Sequence, residues 1–375
     1  MLDVARDAGV HVTTVSLALR NHPKIPVGTR NQIRKLADNL GYRPDPLLQT
    51  FIAYRSRAFS RRNPPTLAYV TNWNSRFGWK NVTAHPQFFL GAKAKASQLG
   101  YNLEHFWLGE QSLHPKRLSQ ILRARSIYGL IVASQLPVLN PTSEFEWEFF
   151  SAVKIDHVPP QLALHNVTND QLGIIRLAVK RVAAAGYQRI GFVMHRGWND
   201  SANRLWSAGF LSAQSLITED ARIPLMMFPA PAPDTAPASR RDFDPVANPT
   251  EFARWFRQHR PDVILSKSSF VLPCLRELGL RVPDDVALVD LFLEDPSGGL
   301  AGVRQNHELV GATAVEILAG QIRHSKFGEP AVATSTLIEG TWFDGRSCPP
   351  HASQRSASQT SGTFGIVRDA APIVL

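Results

Sequence analysis

Thr13, Ser16, Leu17 and Arg20 fall on one face of the stretch from Val12 to Asn21. Hydroxyl and guanidinium groups at that spacing suit phosphate oxygens and base edges in a major groove. The opposite face carries Val15, Ala18 and Leu19, so the stretch predicts a short amphipathic helix. Before it, Asp3, Val4, Ala5 and Ala8 predict another, ended by Gly9 where a tight turn needs positive φ. A third helix, with Ile33, Leu36, Ala37 and Leu40 on its apolar side, stops at Gly41. Two short helices joined by a glycine turn, with a third to close a small core, make a helix-turn-helix that leaves its second helix exposed.

Charge concentrates in the same place. The chain carries a formal +10, and residues 1–65 hold eleven Lys/Arg against four acids. The last thirty residues add three arginines against one aspartate, so the middle of the chain is nearly neutral. A basic excess confined to the helix-turn-helix and its flank is the footprint of a nucleic-acid partner.

At 375 residues the chain suits a small domain plus a large one. Two cysteines, Cys274 and Cys348, form neither a disulfide framework nor a metal pattern, which fits a reducing cytoplasm. No apolar run approaches the roughly 20 residues of a membrane span, and no secretion signal opens the chain. Enzyme signatures are missing: no P-loop, no G-x-G-x-x-G after a strand, no G-x-S-x-G elbow, no H-E-x-x-H. The twelve histidines are scattered. His105, His157 and His165 sit near strand ends, where a structural role is the commoner one. No cofactor, metal site or catalytic group is expected.

The run DVARDAGVHVTTVSLAL, then Thr29–Arg30, Ile33 and LGYRPDP at Leu40–Pro46, resembles the DNA-binding headpiece of the lactose/galactose repressor (LacI/GalR) family. The resemblance implies a headpiece over 1–46. Its DNA surface would hold His11, Val12, Thr13, Thr14, Ser16, Leu17, Arg20, Asn21, Thr29, Arg30 and Tyr42. Two positions depart from the pattern: Leu17 stands where an arginine is usual, and His11 replaces the serine before the helix. Val12 and Leu17 suit thymine methyls but cannot grip guanine bidentately. Leu17 is alternatively a packing residue.

Residues 44–53 are similar to the family's hinge helix, with Leu48 and Phe51 as apolar wedges for a minor-groove base step, or as packing groups against the large domain. Residues 54–65, with four arginines, read as a basic linker. Relatives have a few more residues before the first helix, so a start upstream of Met1 is expected.

From Thr66 short apolar runs alternate with amphipathic stretches. Strands are expected at 67–72, 102–107, 129–133, 152–155, 189–194, 223–228, 262–266 and 286–291. Helices are expected at 87–99, 115–124, 170–185, 201–215, 250–258, 270–278 and 308–324. The pattern predicts parallel sheets covered on both faces, and a second series beginning near Asn169 predicts two Rossmann-like lobes with ligands off the strand carboxyl ends. Segments 86–103, 169–193, 278–289 and 302–318 are similar to the family's periplasmic-binding-protein-like core. The expected architecture is an all-α headpiece on an α/β two-lobed domain over 66–345. A Pro/Ala-rich surface loop lies between Phe228 and Pro249, and a disordered tail covers 346–375. Helices 87–99 and 308–324 are candidate dimer surfaces.

For an effector between the lobes, the aromatic and polar groups near strand ends are Asn72, Trp73, Trp79, His85, Phe88, Arg204, Trp206, Ser268 and Asp290. The resemblance places Trp206 where the family has a ligand-clamping arginine, Ser268 and Ser269 where it has Asn-Asp, and Phe292 where it has an aspartate. The effector is therefore an unusual, more aromatic saccharide, a non-sugar ligand, or absent. Together these residues predict a dimeric, sequence-specific transcriptional regulator, a repressor, held in the cytoplasm on operator DNA and gated by a small effector. A cytosolic solute-binding module and an effector-independent DNA binder are the alternatives.

Overall fold

A computed structural model describes residues 1–19, 22, 24–42, 64–110, 114–135, 145–157, 162–215, 217–228 and 246–350. Arg20, Asn21, Leu48 and Phe51 lie outside the described residues, as do the hinge helix, nearly all of the basic linker, residues 229–245 and residues 351–375 of the expected tail. The start of that tail, 346–350, is not disordered: Ser347 is buried, and its Oγ accepts from Ala301 N at 2.8 Å and donates to the Leu288 carbonyl at 2.7 Å.

The headpiece is three helices, α1 (Leu2–Asp7), α2 (Val12–Leu19) and α3 (Val27–Asn39). Gly9 and Gly41 both adopt φ +63°, a left-handed conformation that suits glycine. Val4, Ala5, Val15, Ala18, Ile33 and Ala37 form the small core. His11 caps α2: its carbonyl accepts from Thr14 N at 2.8 Å, and its Nδ1 accepts from Thr13 N at 3.3 Å. An imidazole thus does what a serine side chain would do at an N-cap.

The large domain is two six-stranded sheets. In the first lobe the order is β2 (Asn102–Trp107), β1 (Thr66–Asn72), β3 (Gly129–Gln135), β4 (Ser151–Ile155), β5 (His165–Asn169) and β11 (Ser335–Ile338), all parallel. In the second it is β7 (Met226–Phe228), β6 (Ile190–His195), β8 (Val263–Ser266), β9 (Ala287–Asp290), β10 (Ala301–Arg304) and β12 (Thr341–Phe343). The last of these, β12, runs antiparallel to β10.

Helices cover both faces. The first lobe has α4 (Ala84–Gln98), α5 (Pro115–Ala124) and, from late in the chain, α11 (His307–Arg323). The second has α6 (Gln171–Ala184), α7 (Arg196–Ser201), α8 (Leu205–Gln214), α9 (Pro249–His259) and α10 (Ser268–Glu277). The chain passes between lobes three times: after Asn169, after Arg304, and between Ile338 and Thr341.

The sequence misses β5, β10, β11 and β12. The first reads HNVTN, too polar to signal a strand, and the others are three or four residues long. The strand expected at 223–228 is confined to Met226–Phe228. The helices offered as dimer surfaces, α4 and α11, pack on each other within the first lobe. A Cβ on Gly91 would lie 1.8 Å from the Glu308 carbonyl oxygen, and one on Gly311 would lie 1.9 Å from that of Phe88. This crossing uses the faces that carry Phe88, Ala92, Val310 and Ala314, leaving Leu90 and Leu309 exposed beside it. Among the described residues no helix is long and apolar enough to cross a membrane.

Candidate functional site

A cavity of about 360 Å³ lies where the carboxyl ends of both sheets face each other. Trp73 follows β1, Ser134 and Gln135 end β3, and Asp156 and His157 follow β4. Asn169 ends β5, His195 ends β6, Lys267 follows β8, Phe292 to Glu294 follow β9, Arg304 ends β10, and Gln305 and His307 come after it. Parallel strands collect their carboxyl-end loops on one edge, and two such edges make a cleft.

The first-lobe side carries polar groups at its strand ends beside Trp73, Phe88 and Ile155. Gln135 Nε2 donates to the carbonyls of Val70 and Ala133, each at 3.0 Å, while its buried Oε1 has no hydrogen-bond partner. Asp156 accepts from Thr168 Oγ1 at 3.0 Å, and burial pushes its carboxyl up to about 6. Ser134 and Asp156 hold left-handed φ values of 53° and 66° without being glycine, local strain of the kind that collects at functional sites.

At the hinge, His307 Nδ1 donates to Asn169 Oδ1 at 2.9 Å, and Asn169 Nδ2 donates to the Gln305 carbonyl. Gln305 Nε2 in turn donates to the Leu291 carbonyl at 2.8 Å. One amide thereby ties two of the three crossings to the second lobe. The Phe88 ring lies between His85 (5.9 Å, stacked) and His307 (5.3 Å, edge-on), and Trp73 meets His85 edge-on at 5.3 Å.

The second-lobe side carries an aromatic cluster beside Lys267, Glu294 and Arg304. Phe292 meets Trp198 at 5.3 Å and Trp206 at 4.9 Å, Trp198 meets Phe270 at 5.2 Å, and Lys267 Nζ stands 5.4 Å from the Trp198 ring centre.

Of the nine effector candidates read from sequence, Trp73, His85, Phe88 and Trp206 line this cavity; Asn72, Trp79, Arg204, Ser268 and Asp290 do not. Trp79 is a core residue 1% exposed, packed on Tyr69, Phe89 and His105, with its Nε1 donating to the Arg76 carbonyl. Asn72 is buried at the end of β1. Arg204 turns outward to Asp200, 3.2 Å away. Asp290 is turned under α10, accepting from Ser268 N and Phe292 N, and burial raises its carboxyl above the usual range. The residue that faces the cavity between β8 and α10 is Lys267, one place earlier than the serines. The missed wall residues include Gln135, Asp156, Asn169 and His307. Each ends or follows a strand or starts a helix, and the strand-end rule points to them once β5 and β10 are placed.

In the headpiece, Leu17 is half-buried yet outside the core cluster, whereas Val12 and Tyr42 pack against it. The packing alternative raised for Leu17 does not place it in the core cluster; Val12 and Tyr42, expected on the DNA surface, pack there instead. Thr13 is exposed and Thr14, Ser16, Thr29 and Arg30 are half-buried. Among the described residues, no group of three or more His, Cys, Asp or Glu could hold a metal.

Burial makes His85 and His307 poor bases. His85 falls to about 3, with His307 beside it adding to burial, and His307 to about 4, with Arg304 adding to burial. His105, under the first lobe, falls to about 4 through burial with Arg76 and Lys80 nearby. An unfolded chain takes protons on these rings below about pH 6.5. Stability therefore falls as pH drops from 6.5 towards 4, by ~1.4 kcal/mol per unit for each of His85 and His307. Asp156 acts oppositely: its raised value makes the folded state take a proton between about 6 and the ordinary carboxylate range. The net expectation is a urea midpoint that declines between about pH 6.5 and 4.5, with a shallower slope in His85→Gln.

The description "Bacterial regulatory proteins, lacI family" matches residues 1–45, and "Periplasmic binding protein-like domain" matches residues 179–348. Among curated proteins, the HTH-type transcriptional regulator GalS of Salmonella typhimurium is 28% identical over 209 residues, 54% of this chain and 56% of GalS. The transcriptional repressor CytR of Escherichia coli K12 is 27% identical over 194 residues, 52% of each chain. The matched region thus spans about half the length of these relatives. Among solved structures, a transcriptional regulator CelR–cellobiose complex matches with TM-score 0.56 at 20% identity, covering 92% of this chain and 98% of that one. The Lac repressor dimer bound to operator and the anti-inducer ONPF matches with TM-score 0.54, also at 20% identity and the same coverage. At that identity the likeness establishes the fold: a helix-turn-helix headpiece on a two-sheet, periplasmic-binding-protein-like core.

Proposed function

We propose that this chain, whose residues 1–45 match the lacI family of bacterial regulatory proteins and whose residues 179–348 match a periplasmic binding protein-like domain, is a sequence-specific DNA-binding transcriptional repressor whose affinity for an operator is set by a small hydroxylated effector between the lobes. The observation that carries this reading is the headpiece over 1–45. There a compact three-helix core leaves Thr13, Thr14, Ser16 and Leu17 outside the core cluster, within the most basic part of the chain.

The cleft supports the second half of the reading. Unfilled space of about 360 Å³, lined by a buried acceptor in want of a donor, is a place for hydroxyl groups. CelR is solved with cellobiose, and the matched curated relatives are transcriptional regulators, so we assign no catalytic role.

The domains follow: a headpiece to residue 46, a hinge over 44–53, a basic linker over 54–65 and an effector-binding, dimerising core over 66–345. Two-fold symmetry in a homodimer would place two headpieces on a pseudo-palindrome, in the cytoplasm and on the chromosome. Base contacts fall to Thr13, Thr14, Ser16 and Leu17, with His11, Thr29, Arg30, Arg20 and Asn21 on phosphates and Leu48 and Phe51 in the minor groove. Coupling is reciprocal, so an effector that weakens DNA binding is itself weakened by DNA to the same factor.

Deleting residues 1–65 is the direct test. The truncated protein is expected to lose all operator binding in a footprint while keeping its thermal transition. A truncated chain that still performs the regulatory role would leave only the solute-binding reading.

A further inference from the structure

The turn into α2 carries an imidazole whose hydrogen bonds set the direction of a neighbouring hydroxyl. His11 Nδ1 lies 3.3 Å from Thr13 N and 2.9 Å from Thr13 Oγ1. A backbone N–H can only donate, so Nδ1 accepts that bond on its lone pair and carries no proton of its own. The ring proton is then on Nε2. With Nδ1 an acceptor, its contact with Thr13 Oγ1 runs one way: the hydroxyl donates to the ring. Thr13 has a single hydroxyl proton, and that proton is turned towards His11. What the hydroxyl offers to a partner is lone pairs alone. Both residues are exposed at the amino end of α2, with Ser16 and Leu17 one turn further on.

A free threonine hydroxyl rotates to donate or to accept, and so suits either kind of base edge. One whose proton is held by an imidazole suits only donors. In the major groove the donors are the amines at adenine N6 and cytosine N4, whereas guanine O6 and N7 and thymine O4 are acceptors. Against an acceptor, lone pair faces lone pair across a contact that has lost its water. A serine before the helix would impose no such direction, because its own hydroxyl both donates and accepts.

We infer that His11 is a positioning residue for base recognition: by holding the Thr13 hydroxyl proton it makes Thr13 an acceptor that selects adenine or cytosine over guanine or thymine at one position of each half-site. The inference rests on the reading of the headpiece as the surface that meets DNA. The Nε2–H of the same exposed ring remains a donor for a phosphate oxygen, so one side chain serves both register and base choice.

The probe is a duplex that the full-length protein selects from random-sequence DNA. Its adenines are replaced singly by purine and its cytosines by 2-pyrimidinone, each of which lacks only the exocyclic amine. At one position of each half-site, loss of the amine is expected to weaken binding about fivefold or more, and in Thr13→Val the same replacement costs less than about twofold. His11→Asn places an Oδ1 where Nδ1 stood and is expected to keep the preference. His11→Ser keeps a helix cap and is expected to bind while tolerating guanine or thymine at that position within about twofold. An amine-removal cost that is the same in wild type and Thr13→Val, full discrimination in His11→Ser, or lost discrimination in His11→Asn overturns the inference and leaves the regulator reading in place. Failure of the wild-type protein to select any sequence overturns both.

Discussion

Val15→Asp is expected to reduce operator affinity at least 100-fold while leaving the thermal transition of the two-lobed core in place. Val15 is 0% exposed and sits among only five other buried residues of the headpiece. Removing its isopropyl group from that core forfeits roughly 2 kcal/mol of burial. Placing an unpaired carboxylate there costs several kcal/mol more, or a proton. A domain of about 45 residues has a total stability of roughly 2–7 kcal/mol, so the headpiece unfolds. The core has its own sheets and its own buried clusters and does not depend on it. Fluorescence anisotropy with operator DNA and a calorimetric melt read the two halves separately. Leu17→Ala is the matched control. Leu17 lies outside the headpiece core cluster, so the variant stays folded and changes which operator bases are preferred. Normal operator binding by Val15→Asp would mean that the packed headpiece is not what meets DNA.

Asn169→Ala is expected to lower the melting temperature of the core by about 5–10 °C and to blunt its response to effector. The side chain is 2% exposed and serves two crossings at once, through the Gln305 carbonyl and through His307 Nδ1. Truncation leaves a buried carbonyl and a buried ring nitrogen unpaired, about 2–4 kcal/mol in all. For a unit of this size each kcal/mol moves the transition by roughly 2–4 °C. The same bonds hold the lobes in one relation, so their loss allows other lobe angles, and the ratio of operator affinities with and without effector contracts towards one. Asn169→Asp keeps the acceptor for His307 and loses the donor to Gln305, so an intermediate melting temperature is expected. A full effector response in Asn169→Ala would move the hinge lock to another crossing.

What the sequence revealed and what it hid follow from the range of the interactions involved. The headpiece is made of local signals: helical spacing of small apolar residues, glycines at two left-handed positions, and a capping group just before α2. The alternation of strands and helices from Thr66 is also local, so two parallel-sheet lobes were legible. The short strands were not. β5 is held in place by β4 and β11, which lie on either side of it, and its own residues are polar.

The cleft was half legible for the same reason. Trp73, His85 and Phe88 lie close together along the chain and reach one wall together. Trp79 is in that same run but is turned into the core to cover Tyr69, and no local pattern distinguishes its direction from that of Trp73. Asn169, Gln305 and His307 meet only because the chain crosses between lobes, a relation that spacing does not encode. The aromatic pair Trp206 and Phe292 was visible as two separate departures from the family pattern; that they touch, at 4.9 Å, is a fact of the fold.

The deciding measurement is operator binding by the purified protein, on DNA from its own upstream region, across a salt series, with and without a panel of glycosides. An effector-gated repressor leaves a footprint over a pseudo-palindrome, binds with affinity that falls steeply as salt rises, and shifts by about tenfold or more with one glycoside. Weak binding without sequence preference, unmoved by every glycoside, would contradict that assignment.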